Sequence, residues 1–128
     1  MPTVLIVDDE QHIRLLIEQT LEELEDEGVE LQTAVDGEQA LDVVRNHHPE
    51  LVFLDVMMPK LNGFEVCRAI KDDLGLASTH VVMLTAKGQA YDREQGVAAG
   101  ADRYLTKPFD PDELLDVARE ALGLAGPR

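Results

Sequence analysis

The chain is 128 residues long and carries 26 acidic against 11 basic side chains, a formal charge of −15, with 45% hydrophobic residues. This is the length of a single domain, with enough apolar side chain to bury a core unaided, and the composition excludes a disordered chain. The negative charge repels nucleic-acid phosphate and anionic lipid, so neither is expected as a direct partner, while cations such as Mg²⁺ are attracted.

The first apolar run, Thr3–Val7, ends at Asp8 and is far too short for a signal peptide or a membrane span, which points to a cytoplasmic protein. Ile13, Leu16, Ile17, Leu21 and Leu24 then keep the spacing of one buried helix face. A second strand is predicted at Val29–Val35. Asp36-Gly37-Glu38-Gln39 reads as an N-cap with a capping-box glutamine, opening a helix that carries Ala40, Leu41 and Val44. His47-His48 before Pro49 marks its end, where cationic side chains suit the helix dipole. The third strand is Leu51–Leu54, and Gly63 to Leu74 forms a third helix with Val66, Cys67, Ile70 and Leu74 on one face. Cys67 is the only cysteine, so no disulfide or zinc cluster is available, and it reads as a small core residue. A fourth strand, His80–Leu84, precedes a weaker helix over 90–99 that stops at Gly100. After the fifth strand, Arg103–Leu105, Asp110-Pro111-Asp112-Glu113 starts a fifth helix. Asp110 is its cap, Glu113 reaches back, and Gly123 ends it. Residues 1–123 make the domain and 124–128 a short tail. The tail has no long polar run, which favours a stand-alone unit over a piece cut from a protein with an output domain.

Five short strands alternating with helices predict an α/β fold, a mostly parallel sheet with right-handed crossovers and helices on both faces. Function in such folds gathers at the carboxyl ends of the strands. The first strand ends in Asp8-Asp9-Glu10, the third in Asp55, the fourth in Thr85-Ala86 and the fifth in Thr106-Lys107-Pro108. Carboxylates crowded on one rim repel unless a cation or proton compensates them. Oxygen-only donors select a hard ion, Mg²⁺ first, with Mn²⁺ or Ca²⁺ as alternatives to it. Lys107 supplies a flexible point charge for a phosphoryl group, Thr85 a hydroxyl donor, and Ala86 room for access. Each piece has an ordinary structural explanation: a strand-end turn, an ion pair, a β-branched strand residue. Their combination at neighbouring strand ends argues for a phosphoryl site.

The set Val4–Glu10, Leu54-Asp55-Val56-Met57-Met58-Pro59, Asn62-Gly63, Thr85-Ala86 and Tyr104–Phe109 resembles the receiver domain of two-component response regulators, over about residues 3–122. The resemblance implies a flavodoxin-like, doubly wound five-stranded sheet of order 2-1-3-4-5 with five helices. It further implies that Asp55 accepts a phosphoryl group from a phosphohistidine of a sensor histidine kinase or phosphotransfer protein. Asp9, Asp55 and the backbone carbonyl of Met57 would hold Mg²⁺, with Asp8 acting through water. Lys107 and Thr85 would bind the phosphoryl oxygens, and the Lys107–Pro108 peptide would be cis. The domain would catalyse its own phosphorylation and slow dephosphorylation, as a phosphoacceptor signalling domain and not an enzyme acting on a separate substrate.

Phosphorylation would draw the Thr85 hydroxyl inward and let Tyr104 turn into the vacated space. The face of the fourth helix, fifth strand and fifth helix would then change for a downstream protein partner. A homodimer through that face would pair the charges of Tyr91-Asp92-Arg93-Glu94 and Asp102-Arg103. Met57 and Lys87 lie where they would tune the phosphoryl lifetime, while His12, His47, His48 and His80 receive no catalytic role. Three rivals stand beside this reading. A flavodoxin-like FMN carrier is disfavoured by acids after the first strand and by few aromatic residues. A small-molecule phosphatase lacks a cap to hold its substrate. The third is an interaction module that never carries phosphate.

Overall fold

The computed structural model describes residues 2–56, 58, 62–73, 75, 78–86, 100–107 and 109–124. Five strands, β1 (Thr3–Val7), β2 (Glu30–Ala34), β3 (Leu51–Asp55), β4 (His80–Ala86) and β5 (Arg103–Lys107), form one parallel sheet of order β2-β1-β3-β4-β5. Among the described residues four helices accompany it: α1 (Gln11–Glu25), α2 (Gly37–His47), α3 (Gly63–Arg68) and α4 (Pro111–Leu122). α4 is the fifth helix of the sequence reading. The fourth helical stretch, 90–99, lies outside the described residues.

The continuously apolar strands are explained by helices on both faces. Val4, Ile6, Phe53, Val82, Leu84 and Leu105 face α1 and α4, meeting Ile17, Leu21, Leu24, Leu114, Val117 and Ala118. Their alternating neighbours Leu5, Val7, Val52, Leu54, Val81 and Met83 face α2 and α3, against Ala40, Leu41, Val44, Val66, Cys67 and Ile70. Cys67 is buried as expected, and that burial pushes its thiol up to about 11 against the opposing charge of Lys71.

Local chemistry explains most element ends, with adjustments. The Asp36 carboxylate accepts from the Gln39 amide as predicted, but the Gln39 side chain accepts from Val35 N, one residue before the cap, so the reciprocal box does not close. Asp110 caps α4 by accepting from Asp112 N at 2.9 Å, and Gly123 ends it at φ 70°, a left-handed backbone that suits glycine. A full capping box appears instead at α3. There Asn62 Oδ1 accepts from Glu65 N at 3.0 Å, and Glu65 Oε1 accepts from Asn62 N at 3.1 Å. The third helix also differs from its single predicted span, because after Arg68 it continues as a π-helical turn over Ala69–Asp73.

Candidate functional site

The sheet order places β1 beside β3, with Val7 opposite Leu54, so Asp8 and Asp55 leave adjacent strands at the same rim. Chain connections diverge from these two strands to opposite sides, which opens a crevice there. Asp8 is fully buried and Asp55 is 5% exposed, while Asp9 and Glu10 are exposed. Lys107 ends β5 and spans the gap: its Nζ donates to Asp8 Oδ2 at 3.0 Å and to Asp55 Oδ1 at 3.1 Å. Burial alone would lower the Lys107 ammonium. The hydrogen bond to Asp8 and the charges of both aspartates outweigh it, holding the group above its ordinary value.

The other Asp8 oxygen, Oδ1, accepts from Glu10 N at 2.9 Å. Both oxygens of this buried carboxylate are therefore held by the protein. Asp8, Asp9 and Glu10 present carboxylate oxygens within 4.8 Å of one another. Oxygen-only donors at this spacing fit a hard divalent cation. The cluster adds Glu10, which composition alone did not separate from a charged turn. Asp55 joins it through Lys107. A second residue that sequence reasoning missed is Arg14, whose Nη1 donates to the Asp8 carbonyl oxygen at 2.7 Å and braces the β1–α1 turn. Its position one helical turn after Glu10 was the available signal.

Thr85 is 4% exposed on β4, next to the strand that carries Asp55. Tyr104 lies opposite Met83 in the β4–β5 register, so Thr85, two residues on, is its diagonal neighbour on the same face of the sheet. Tyr104 is half-buried against the cluster that includes Met83 and Val81. Met57, Lys87, Tyr91, Asp92, Arg93, Glu94 and the Lys107–Pro108 peptide fall outside the described residues.

Two charges assigned to a dimer face also bond within the chain. Asp102 Oδ2 accepts from Lys71 Nζ at 2.9 Å and from Val81 N at 2.8 Å, while Arg103 pairs with Glu120 at 3.1 Å. Contacts distant in sequence decide this, so the charge pattern around Asp102 and Arg103 could not reveal it.

The response regulator receiver domain family matches residues 4–119. The chain is 40% identical over 112 residues to protein PilG of Pseudomonas aeruginosa, covering 88% of this chain and 81% of that one. It is 43% identical over 122 residues to the DNA-binding dual master transcriptional regulator RpaA of Synechocystis, covering 95% of this chain but 49% of the relative. The chain thus spans most of the first relative and about half of the second. Among solved structures it is similar to the chemotaxis response regulator CheY4 of Vibrio cholerae, at a TM-score of 0.83 and 35% identity, over 94% of this chain and 98% of that one.

Proposed function

The chain belongs to the response regulator receiver domain family, and from that premise we propose that Asp55 is its phosphoacceptor, charged by a phosphohistidine on a sensor histidine kinase or a phosphotransfer protein. Phosphorylation on an aspartate is the function of the family. The observation that carries the choice of Asp55 is the Lys107 ammonium bonded to both Asp8 and Asp55 at the rim of β1 and β3. Family membership sets aside the FMN-carrier and phosphatase readings. We extend the receiver over residues 1–123, with 124–128 as a tail.

In this reading an Asp55 oxygen forms a bond to phosphorus as the bond to the donor's imidazole nitrogen breaks. The Lys107 charge keeps Asp55 ionised, which the attack requires, and stands ready to bond a phosphoryl oxygen. Thr85 offers its hydroxyl to another. Tyr104, as its diagonal neighbour, is placed to follow that hydroxyl and alter the face of the fifth strand and α4 toward a protein partner. Asp9 and Asp55 would hold Mg²⁺ (or Mn²⁺), with the Met57 carbonyl and with Asp8 through water. The protein donors on both Asp8 oxygens support its indirect part. Bound there, the ion supplies charge neutralisation for the phosphoryl oxygens.

Self-catalysed phosphorylation and dephosphorylation, with a cytoplasmic location, complete the proposal. Among the described residues no helix is long and apolar enough to cross a membrane. The acidity that disfavours nucleic acid concerns this chain alone. RpaA, named as DNA-binding, is about twice as long.

The test is intact mass after incubation with Mg²⁺ and acetyl phosphate. One added phosphoryl group is expected, and none on Asp55→Asn, which keeps the shape and removes the nucleophile. An unchanged wild-type mass would favour an interaction module that never carries phosphate.

A further inference from the structure

Gly63, the first residue of α3, is buried, and its amide donates to the Val56 carbonyl oxygen at 2.9 Å. A β-carbon at this position would collide with the Asp55 carbonyl oxygen and lie 2.9 Å from Val56 Cα. Both obstacles are backbone, so no side-chain rotation relieves the clash. β3 is paired on both sides, Leu54 with Val7 and Asp55 with Leu84, which resists movement of the strand itself. The yielding part is then the peptide after Asp55, or the helix start with its bond to Val56. The Asn62–Glu65 capping box holds that helix start in place.

We propose that Gly63 is a positioning residue for phosphoryl transfer: the close approach of α3 to the Asp55 backbone, held by the Asn62 cap, sets the direction of the Asp55 carboxylate toward Lys107. This rests on Asp55 being the phosphoacceptor. Reactions between aligned groups lose about a hundredfold in rate for a misplacement of about 1 Å, so a shift of a few tenths of an ångström is consequential. Gly63 touches neither donor nor phosphate and acts through the backbone it packs against.

The experiment compares wild type, Gly63→Ala and Asn62→Ala in Mg²⁺ with increasing acetyl phosphate. Phosphorylation is followed by intact mass and folded fraction by circular dichroism at the same temperature. Gly63→Ala is expected to lower the maximal rate constant of the folded protein about tenfold or more, with donor half-saturation within about twofold of wild type. A role confined to stability predicts the wild-type rate constant in whatever fraction is folded, and that result overturns the proposal. Should Gly63→Ala fail to fold, Asn62→Ala decides. It keeps the glycine but releases the helix start, and a severalfold slower maximal rate supports the proposal while a wild-type rate overturns it. A wild type that takes up no phosphoryl group refutes the phosphoacceptor reading itself, a different outcome from equal rates in all three proteins.

Discussion

Lys107 shows how one side chain converts a liability into a site. Two aspartates at adjacent strand ends, one of them fully buried, would repel if both were ionised, and the ammonium between them removes that penalty. Truncating it by Lys107→Met is expected to cost about 3–5 kcal/mol in Mg²⁺-free buffer, measured by urea unfolding, because breaking a buried pair strands the remaining charge. The pH dependence follows from the raised Lys107 value. Its contribution is fully present below the ordinary lysine value of 10.5 and is lost as pH rises through the higher folded value. Cys67 acts earlier: its thiol ionises from 9.0 in the unfolded chain but only from about 11 when folded, so stability falls across that interval. Wild type should therefore weaken above pH 9 and more steeply above 10.5, and Lys107→Met should lack the added steepness. At this scale Asp8, Asp55, Thr85 and Lys107 were legible because each closes an apolar run. Glu10 and Arg14 were not, because a charged residue at a helix start is ordinarily a solvated cap or face.

Elements were legible where local chemistry decides them. Asp110 and Pro111 announced α4, and the Asp110 carboxylate caps it by accepting from Asp112 N, but the expected reach of Glu113 back to the cap does not form. Asp110→Ala should cost about 1 kcal/mol in chemical denaturation, the usual loss for an N-cap, and leave phosphorylation unchanged. The third helix was legible as a helix but not in its winding. Its π turn keeps Ile70 buried and coincides with Lys71 reaching the Thr79 carbonyl and Asp102. That latch ties Lys71 to Thr79, eight residues on, and to Asp102, 31 residues on, and apolar spacing carries no trace of it. The β1–α1 and β3–α3 junctions were visible as acidic or Asn-Gly turns, yet the contact of Gly63 with the Asp55 carbonyl depends on how closely helix and strand approach.

For the whole molecule the controlling quantity is a charge of −15 with part of it gathered at one rim. A ligand that binds only the folded state stabilises it by about 2.7 kcal/mol at a hundred times its dissociation constant. Mg²⁺ should therefore raise the urea midpoint of wild type at constant ionic strength, and Asp9→Ala should lose most of that gain while still responding to salt through general screening. A variant that kept the full Mg²⁺ response would remove Asp9 from the ion's ligands.

The sequence by itself determined the alternation of strands and helices, the burial of both sheet faces and the residues delivered to the strand ends, because these follow from apolar periodicity and turn chemistry within a few neighbouring residues. Strand order came with the family resemblance and not from periodicity. Only the tertiary structure decided that Lys107 bonds two aspartates from β1 and β3, that Glu10 shares oxygen space with Asp8 and Asp9, that Asp102 and Arg103 are engaged internally, and that Gly63 has no room for a side chain. All but the Glu10 cluster, whose three residues are consecutive, are distances between separate segments of the chain. Such distances are set by packing helices onto a sheet, which no local pattern encodes.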